Sequence, residues 1–188
     1  MQQKVEILRI KSLSLVKLIL SVIVFPFIYT LFSKIRFYLP WTEVPITLQT
    51  TGILFSPFII GEYSILSVFV YLLIGSIGLP VFSGDSAGLN YFLLPTGGYL
   101  FGFLVASFFL SKFLKNQKNW NLKRIFFILV FVDIFFIFIP GSVWYGFVKK
   151  NFNILFLIKN CILPFIPGDF FKIYIPISLF SHFMKRND

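Results

Sequence analysis

Asp169 and Lys172 stand three residues apart in the segment Leu163-Pro-Phe-Ile-Pro-Gly-Asp-Phe-Phe-Lys172. Residues at i and i+3 share a helix face. A Pro-Gly pair suits the start of a helix, and an aspartate in the first turn suits the helix dipole. A carboxylate beside an ammonium can hold a small polar ligand that offers both N–H donors and carbonyl or carboxylate acceptors. The plainer use of the pair is a helix cap plus a lysine reaching for an interface. Two further segments could add to such a site. Val44-Pro-Ile-Thr-Leu-Gln-Thr50 carries Thr47, Gln49 and Thr50 at the mouth of a helix, and Thr96-Gly97-Gly98-Tyr99 opens another with small residues that leave backbone N–H groups accessible. In the loop before it, Asp85, Asn90 and Tyr91 are hydrogen-bond candidates, while Phe82, Phe92 and Tyr99 could form apolar walls. Each of these also has an ordinary use as a turn or interface residue.

The elements that must position these groups are membrane helices. Of 188 residues, 57% are hydrophobic and only 13% charged, against about 25% charged in an ordinary soluble domain. A chain this short cannot bury the surplus, so it must meet lipid. The 28 phenylalanines partly reflect coding bias, but bias alone does not gather apolar residues into long uncharged runs. Residues 1–188 read as a single all-α integral membrane domain with spans at about 12–33, 48–60, 62–77, 97–114, 125–147 and 169–184. Pro26 should kink the first span without ending it. The stretch from Leu48 to Ile77 is too long for one crossing and short for two, and breaks at Gly61-Glu62. Short helices of this kind leave room for a ligand cavity. Gly78 to Gly98, rich in glycine and free of Lys and Arg, reads as a structured outer loop, and Asn151 to Leu163 as a short extra helix before the last span.

Basic residues set the orientation. Lys4, Arg9, Lys11 and Lys17, then Lys112, Lys115, Lys118, Lys123 and Arg124, then Lys185 and Arg186 fall on one side; Lys34, Arg36, Lys149, Lys150 and Lys159 fall on the other. The larger group marks the cytoplasmic side of a cell membrane and places both termini there. The glycine-rich loop and the Pro164–Lys172 segment then share the outer face. The net charge of +10 sits at span ends and not on a polar face, which argues against a nucleic-acid partner. A lone cysteine, Cys161, excludes an internal disulfide and a cysteine metal cluster. No P-loop is present, so energy for any transport must come from partners. Asp133 falls inside the fifth span, where a charge is expensive; the sequence does not say what it does there.

The segments "VPITLQT" (44–50), "YLLIGSIGLPVFSGDSAG" (71–88), "PTGGYLFGF" (95–103) and "LPFIPGDFFK" (163–172) occur in this order over nearly the whole chain. Together they resemble the BioY family, the biotin-specific S components of energy-coupling factor (ECF) transporters. The resemblance implies a six-helix bundle that captures biotin from outside and delivers it with a transmembrane coupling subunit and two ABC-type ATPases. It makes Asp169 and Lys172 the firmest biotin ligands, followed by Tyr99, Asn90 and Tyr91, with Asp85, Thr96, Gly98 and Gln49 completing the candidate set. No catalytic residue, cofactor or metal is expected. Biotin offers ureido N–H donors, a ureido carbonyl, an apolar thiophane and a carboxylate, which suits an aspartate, a lysine and aromatic walls. The family's Ala-x-x-x-Ala docking pattern on the first helix is missing, Ser14 and Ser21 being the nearest small residues. The same bundle would serve an S component for another vitamin or a solitary biotin carrier. An intramembrane aspartyl protease, suggested only by the Gly-Asp pairs at Asp85 and Asp169, needs two carboxylates sharing a proton.

Overall fold

The computed structural model describes residues 12–84, 86–115 and 121–185. Asp85 and the basic residues Lys4, Arg9, Lys11, Lys118 and Arg186 lie outside the described residues. Helix α1, Ser12–Lys34, runs through the expected first span. It widens into a π-turn at Leu20–Val24 and returns to α geometry with Pro26 in the next turn. A proline lacks its N–H and crowds the carbonyl one turn back, and a wider turn just before it relieves both. The disturbance expected at Pro26 therefore takes the form of a widened turn, and the helix continues.

A small hairpin follows that the sequence does not announce. Arg36–Phe37 (β1) pairs antiparallel with Ile46–Thr47 (β2), a ladder too short for alternation to reveal. Next come α2, Gln49–Ile60, and α3, Tyr63–Ser76, separated at Gly61-Glu62 as the sequence suggests. At 1.5 Å per residue they span about 18 and 21 Å, less than the ~30 Å of bilayer hydrocarbon. The loop after α3 holds a 3₁₀ turn at Leu89–Leu93. Gly88 enters that turn at φ +85° and donates its N–H to the Gly75 carbonyl at 2.8 Å, a backbone conformation side chains resist. Helix α4 is Gly97–Lys115 and α5 is Leu122–Lys149. Within α5, Asp133–Phe138 is a second π segment, again two residues ahead of a proline, Pro140. The short α6, Ile154–Cys161, is capped by the Asn153 side chain. It meets α7, Ile166–Lys185, at a bend of 46°.

Among the described residues α1, α4 and α5 are each long and apolar enough to cross a membrane, and α6 with the first part of α7 qualifies as one bent pair. Helix α4 lies at the centre, packed on α5, α2 and α3. Its glycines make this possible: a Cβ on Gly98 would stand 2.3 Å from the Trp144 Cβ, and one on Gly102 2.6 Å from the Phe136 carbonyl oxygen. Small residues allow membrane helices this close approach. Outward-facing Phe127, Phe131, Ile134 and Phe135 on α5, like Phe101 and Phe108 on α4, are large and exposed. Lipid is the solvent that tolerates such a surface. The molecule is an all-α membrane bundle.

Polar contacts sort the helix ends into two groups. At one end Lys112 and Lys115 pair with Glu62 at 3.0 and 3.2 Å; the Glu62 carboxyl, in the turn between α2 and α3, is held below its ordinary value by hydrogen bonds from these two ammoniums. At the other end Lys149 pairs with Glu43 at 2.6 Å, and the Thr42 hydroxyl donates to the Asn160 carbonyl at 2.7 Å. Lys34 donates there to the carbonyls of Pro80 (2.7 Å), Phe82 (3.2 Å) and Gly84, tying the glycine-rich loop to the end of α1. The hairpin, this loop and the α5–α7 connection thus share one end of the bundle.

Candidate functional site

At that end a small cavity of about 40 Å³ is enclosed by residues from every segment singled out above. The hairpin supplies Val44, Pro45 and Thr47; α2 supplies Gln49 and Thr50; and the loop supplies Ser83, Tyr91 and Thr96. Tyr99, Phe138, Phe165 and Lys172 close the remaining sides.

Several side chains here are held by identifiable contacts. The Gln49 amide, 4% exposed, donates to the Tyr71 hydroxyl, which in turn donates to the Val81 carbonyl at 3.0 Å. Ser33 donates to the same carbonyl at 2.8 Å. Gln49 is therefore fixed by α3 and the loop together. Tyr91 stacks on Phe82 with ring centroids 4.8 Å apart, and Phe82 fits only because position 75 is glycine: a Cβ there would fall 2.1 Å from the ring. Tyr99 donates its hydroxyl to the Cys161 carbonyl at 3.3 Å and meets Phe138 edge-on. Lys172 lies 5.9 Å from the centroid of the Phe165 ring, a favourable seat for an ammonium in low dielectric.

The Lys172 Nζ stands 2.8 Å from Asp169 Oδ1, and the two residues are 3% and 7% exposed. The helix begins at Ile166, three residues before the expected start, and carries Asp169 in its first turn. The shared face anticipated from the i, i+3 spacing is present. The partners nevertheless look into different spaces. Lys172 lines the small cavity, whereas Asp169 lines a second cavity of about 290 Å³ between α5 and α7. Phe138 borders both.

The structure thus gathers Gln49, Tyr91, Thr96, Tyr99 and Lys172 around one cavity and joins Asp169 to them through the ion pair. Asn90 is exposed on the loop and borders neither cavity. Gly98 packs against Trp144, in the α4–α5 contact. Asp85 lies outside the described residues. Ser83, Phe138 and Phe165 escaped sequence reading; Ser83, whose hydroxyl is buried and unpaired among the described residues, sits two residues after the carbonyl that Tyr71 binds. Asp133, unassigned in the sequence, borders the second cavity beside Asp169.

Comparison with known proteins places this geometry in a family. The model of the BioY family matches residues 1–187. The "Biotin transporter BioY" of Lactococcus lactis subsp. cremoris is 35% identical over 149 residues, covering 76% of this chain and 77% of that protein. The "Probable biotin transporter BioY" of Rickettsia prowazekii is 29% identical over 171 residues, covering 90% and 82%. The fold is similar to a crystal structure of the S-component for biotin from an ECF-type ABC transporter, with a TM-score of 0.80 and 29% identity over 91% of this chain and 92% of that one. These relatives are transport proteins, which removes the aspartyl-protease alternative. The chain belongs to the BioY family.

Proposed function

We propose that this chain is the biotin-capturing S component of an ECF-type transporter, with Asp169 and Lys172 as the polar centre of its site. The observation that carries this reading is the ion pair itself: two opposite charges buried at 2.8 Å beside a cavity walled by Tyr91, Tyr99, Phe138 and Phe165. Burying such a pair costs desolvation, and a ligand that uses both charges explains why it is kept. In this reading Asp169 accepts from the ureido ring, Lys172 serves a ligand carbonyl or carboxylate, and the aromatic rings cover the thiophane. Gln49, Tyr91, Thr96 and Tyr99 complete the first ring of contacts; Asn90, exposed on the loop, would join only through movement of the loop.

The positive residues at the Glu62 end mark it as cytoplasmic, which puts both termini inside and the cavity outside. The six spans at 12–33, 48–60, 62–77, 97–114, 125–147 and 169–184 fit this arrangement, with α2 and α3 as the two short crossings. Biotin would pass inward with a transmembrane coupling subunit and two ABC-type ATPases. The outward apolar residues of α1, among them Leu15, Ile19, Ile23 and Phe27, give such a subunit a face to pack on in place of the missing alanine pattern. Isothermal titration calorimetry on the detergent-purified chain tests the substrate, with thiamine and riboflavin as controls. Tight binding of biotin alone is expected. A folded sample that ignores biotin and binds another vitamin would overturn the assignment.

A further inference from the structure

A bicyclic urea raises a geometric difficulty for a site with one aspartate. The two N–H bonds of a five-membered cyclic urea flank its carbonyl and point away from each other. One carboxylate cannot take both along good hydrogen-bond directions. Asp169 in addition holds Oδ1 2.8 Å from the Lys172 ammonium, and neither of its oxygens has a hydrogen-bond partner among the described residues, so Oδ2 is the one turned to a ligand without a cation beside it. A second acceptor on another element is needed.

Asp133 meets that need. It is 2% exposed, its Oδ1 has no hydrogen-bond partner among the described residues, and it borders the same cavity as Asp169, from α5 across to α7. It lies within electrostatic reach of both Asp169 and Lys172. Asp133 opens the π segment of α5, and π-turns inside α-helices recur at functional sites. The rest of the lining is apolar: Val130, Ile162 and Ile173 lie inside, and the exposed Ile134, Ile139 and Ile166 form its open, outward rim. Size points the same way. The small cavity of about 40 Å³ is far below the roughly 300–1,000 Å³ of sites that hold such molecules, and the second cavity supplies about 290 Å³ more on the other side of Phe138.

We infer that the ureido ring sits in the second cavity between two carboxylates, Asp169 Oδ2 taking one N–H and Asp133 Oδ1 the other, with the rest of the ligand passing Phe138 into the first. This placement rests on biotin being the ligand. Charge makes it testable with 2-iminobiotin, in which a cyclic guanidinium replaces the urea. In the wild type Asp133 can ionise to meet that guanidinium, as Asp169 meets Lys172. In Asp133→Asn the same ligand leaves one positive charge uncompensated.

Binding of biotin and 2-iminobiotin to the purified full chain is measured by calorimetry for wild type and Asp133→Asn. Biotin should weaken about tenfold, as a charged acceptor becomes a neutral one, and 2-iminobiotin by about a hundredfold or more. Equal losses for the two ligands, or no loss, would overturn the placement, because a merely structural aspartate does not distinguish urea from guanidinium. If Asp133→Asn does not yield folded protein, Val130→Trp decides by filling the second cavity from the same helix: biotin binding should be lost, and unchanged affinity refutes the placement. Failure of the wild type to bind biotin is a separate result and overturns the substrate assignment instead.

Discussion

Removing either member of the Asp169–Lys172 pair should destabilise the ligand-free protein, and removing both should largely restore it. Breaking a buried ion pair from one side costs about 3–5 kcal/mol, because the abandoned charge stays in low dielectric, whereas replacing both partners by apolar groups is often neutral. Both side chains here are at least nine-tenths buried, so the full penalty applies. For a chain of this length each kcal/mol moves the melting temperature by about 2–4 °C. Lys172→Met and Asp169→Leu should each lower it by roughly 6–20 °C. The Asp169→Leu/Lys172→Met double variant should recover most of the loss and bind no biotin. Thermal unfolding in one detergent without ligand, followed by intrinsic tryptophan fluorescence, reads all three. A double variant no more stable than either single would refute the reasoning.

Other perturbations follow from contacts further out. Gly75→Leu drives a side chain into the space of the Phe82 ring, 2.1 Å from where a Cβ would lie, and should displace Tyr91 from the cavity wall; a tenfold or greater fall in biotin affinity is expected, measured by calorimetry. Lys34→Met removes the clamp on the carbonyls of Pro80, Phe82 and Gly84. Hydrogen–deuterium exchange should then accelerate over residues 80–94 while α4 is unchanged. Glu62 has its carboxyl value lowered by Lys112 and Lys115, so its contribution to stability stands in full above the ordinary carboxylate range and disappears as pH falls through the lowered value of the folded state. Because the group is exposed, the effect should be small, abolished in Glu62→Gln, and suppressed by salt in melting curves taken across acid pH.

Much of this architecture was legible in the chain because lipid imposes a simple rule. Apolar runs bounded by Lys and Arg placed α1, α4 and α5 within a few residues of their observed limits, and Gly61-Glu62 marked the break between α2 and α3. The i, i+3 spacing of Asp169 and Lys172 gave their common face. What stayed hidden depends on partners distant in sequence. Tyr91 lines a cavity because Phe82 supports it, and Phe82 is there because residue 75, on α3, has no side chain. Gly98 read as part of a helix start with accessible backbone N–H groups; its close contact with Trp144, on another helix, left no sign in the sequence. Asp133 read only as a costly charge, since its meaning comes from α7. The hairpin at 36–47 is too brief to leave a periodic trace.

The two π segments also bear on how this sequence tolerates length changes. Each successive residue of an α-helix is turned by about 100° about the axis, and a π segment accommodates an extra residue without breaking the rod. Deleting one residue between Asp133 and Phe138 could therefore leave α5 an unbroken helix. Because the wide turn already absorbs that residue's share of rotation, Trp144 would keep its direction relative to Asp133. Rewinding the segment as α at its present length is what would turn everything beyond it by about 100°, swinging Trp144 away from Gly98 and out of reach of the Leu94 carbonyl that its indole N–H now meets at 3.0 Å. The widened turn acts as a phase adjuster: it lets one helix present a carboxylate to α7 over one half of its length and an indole to the glycine-rich loop over the other, two tasks that a uniformly wound helix of the same sequence would perform out of step.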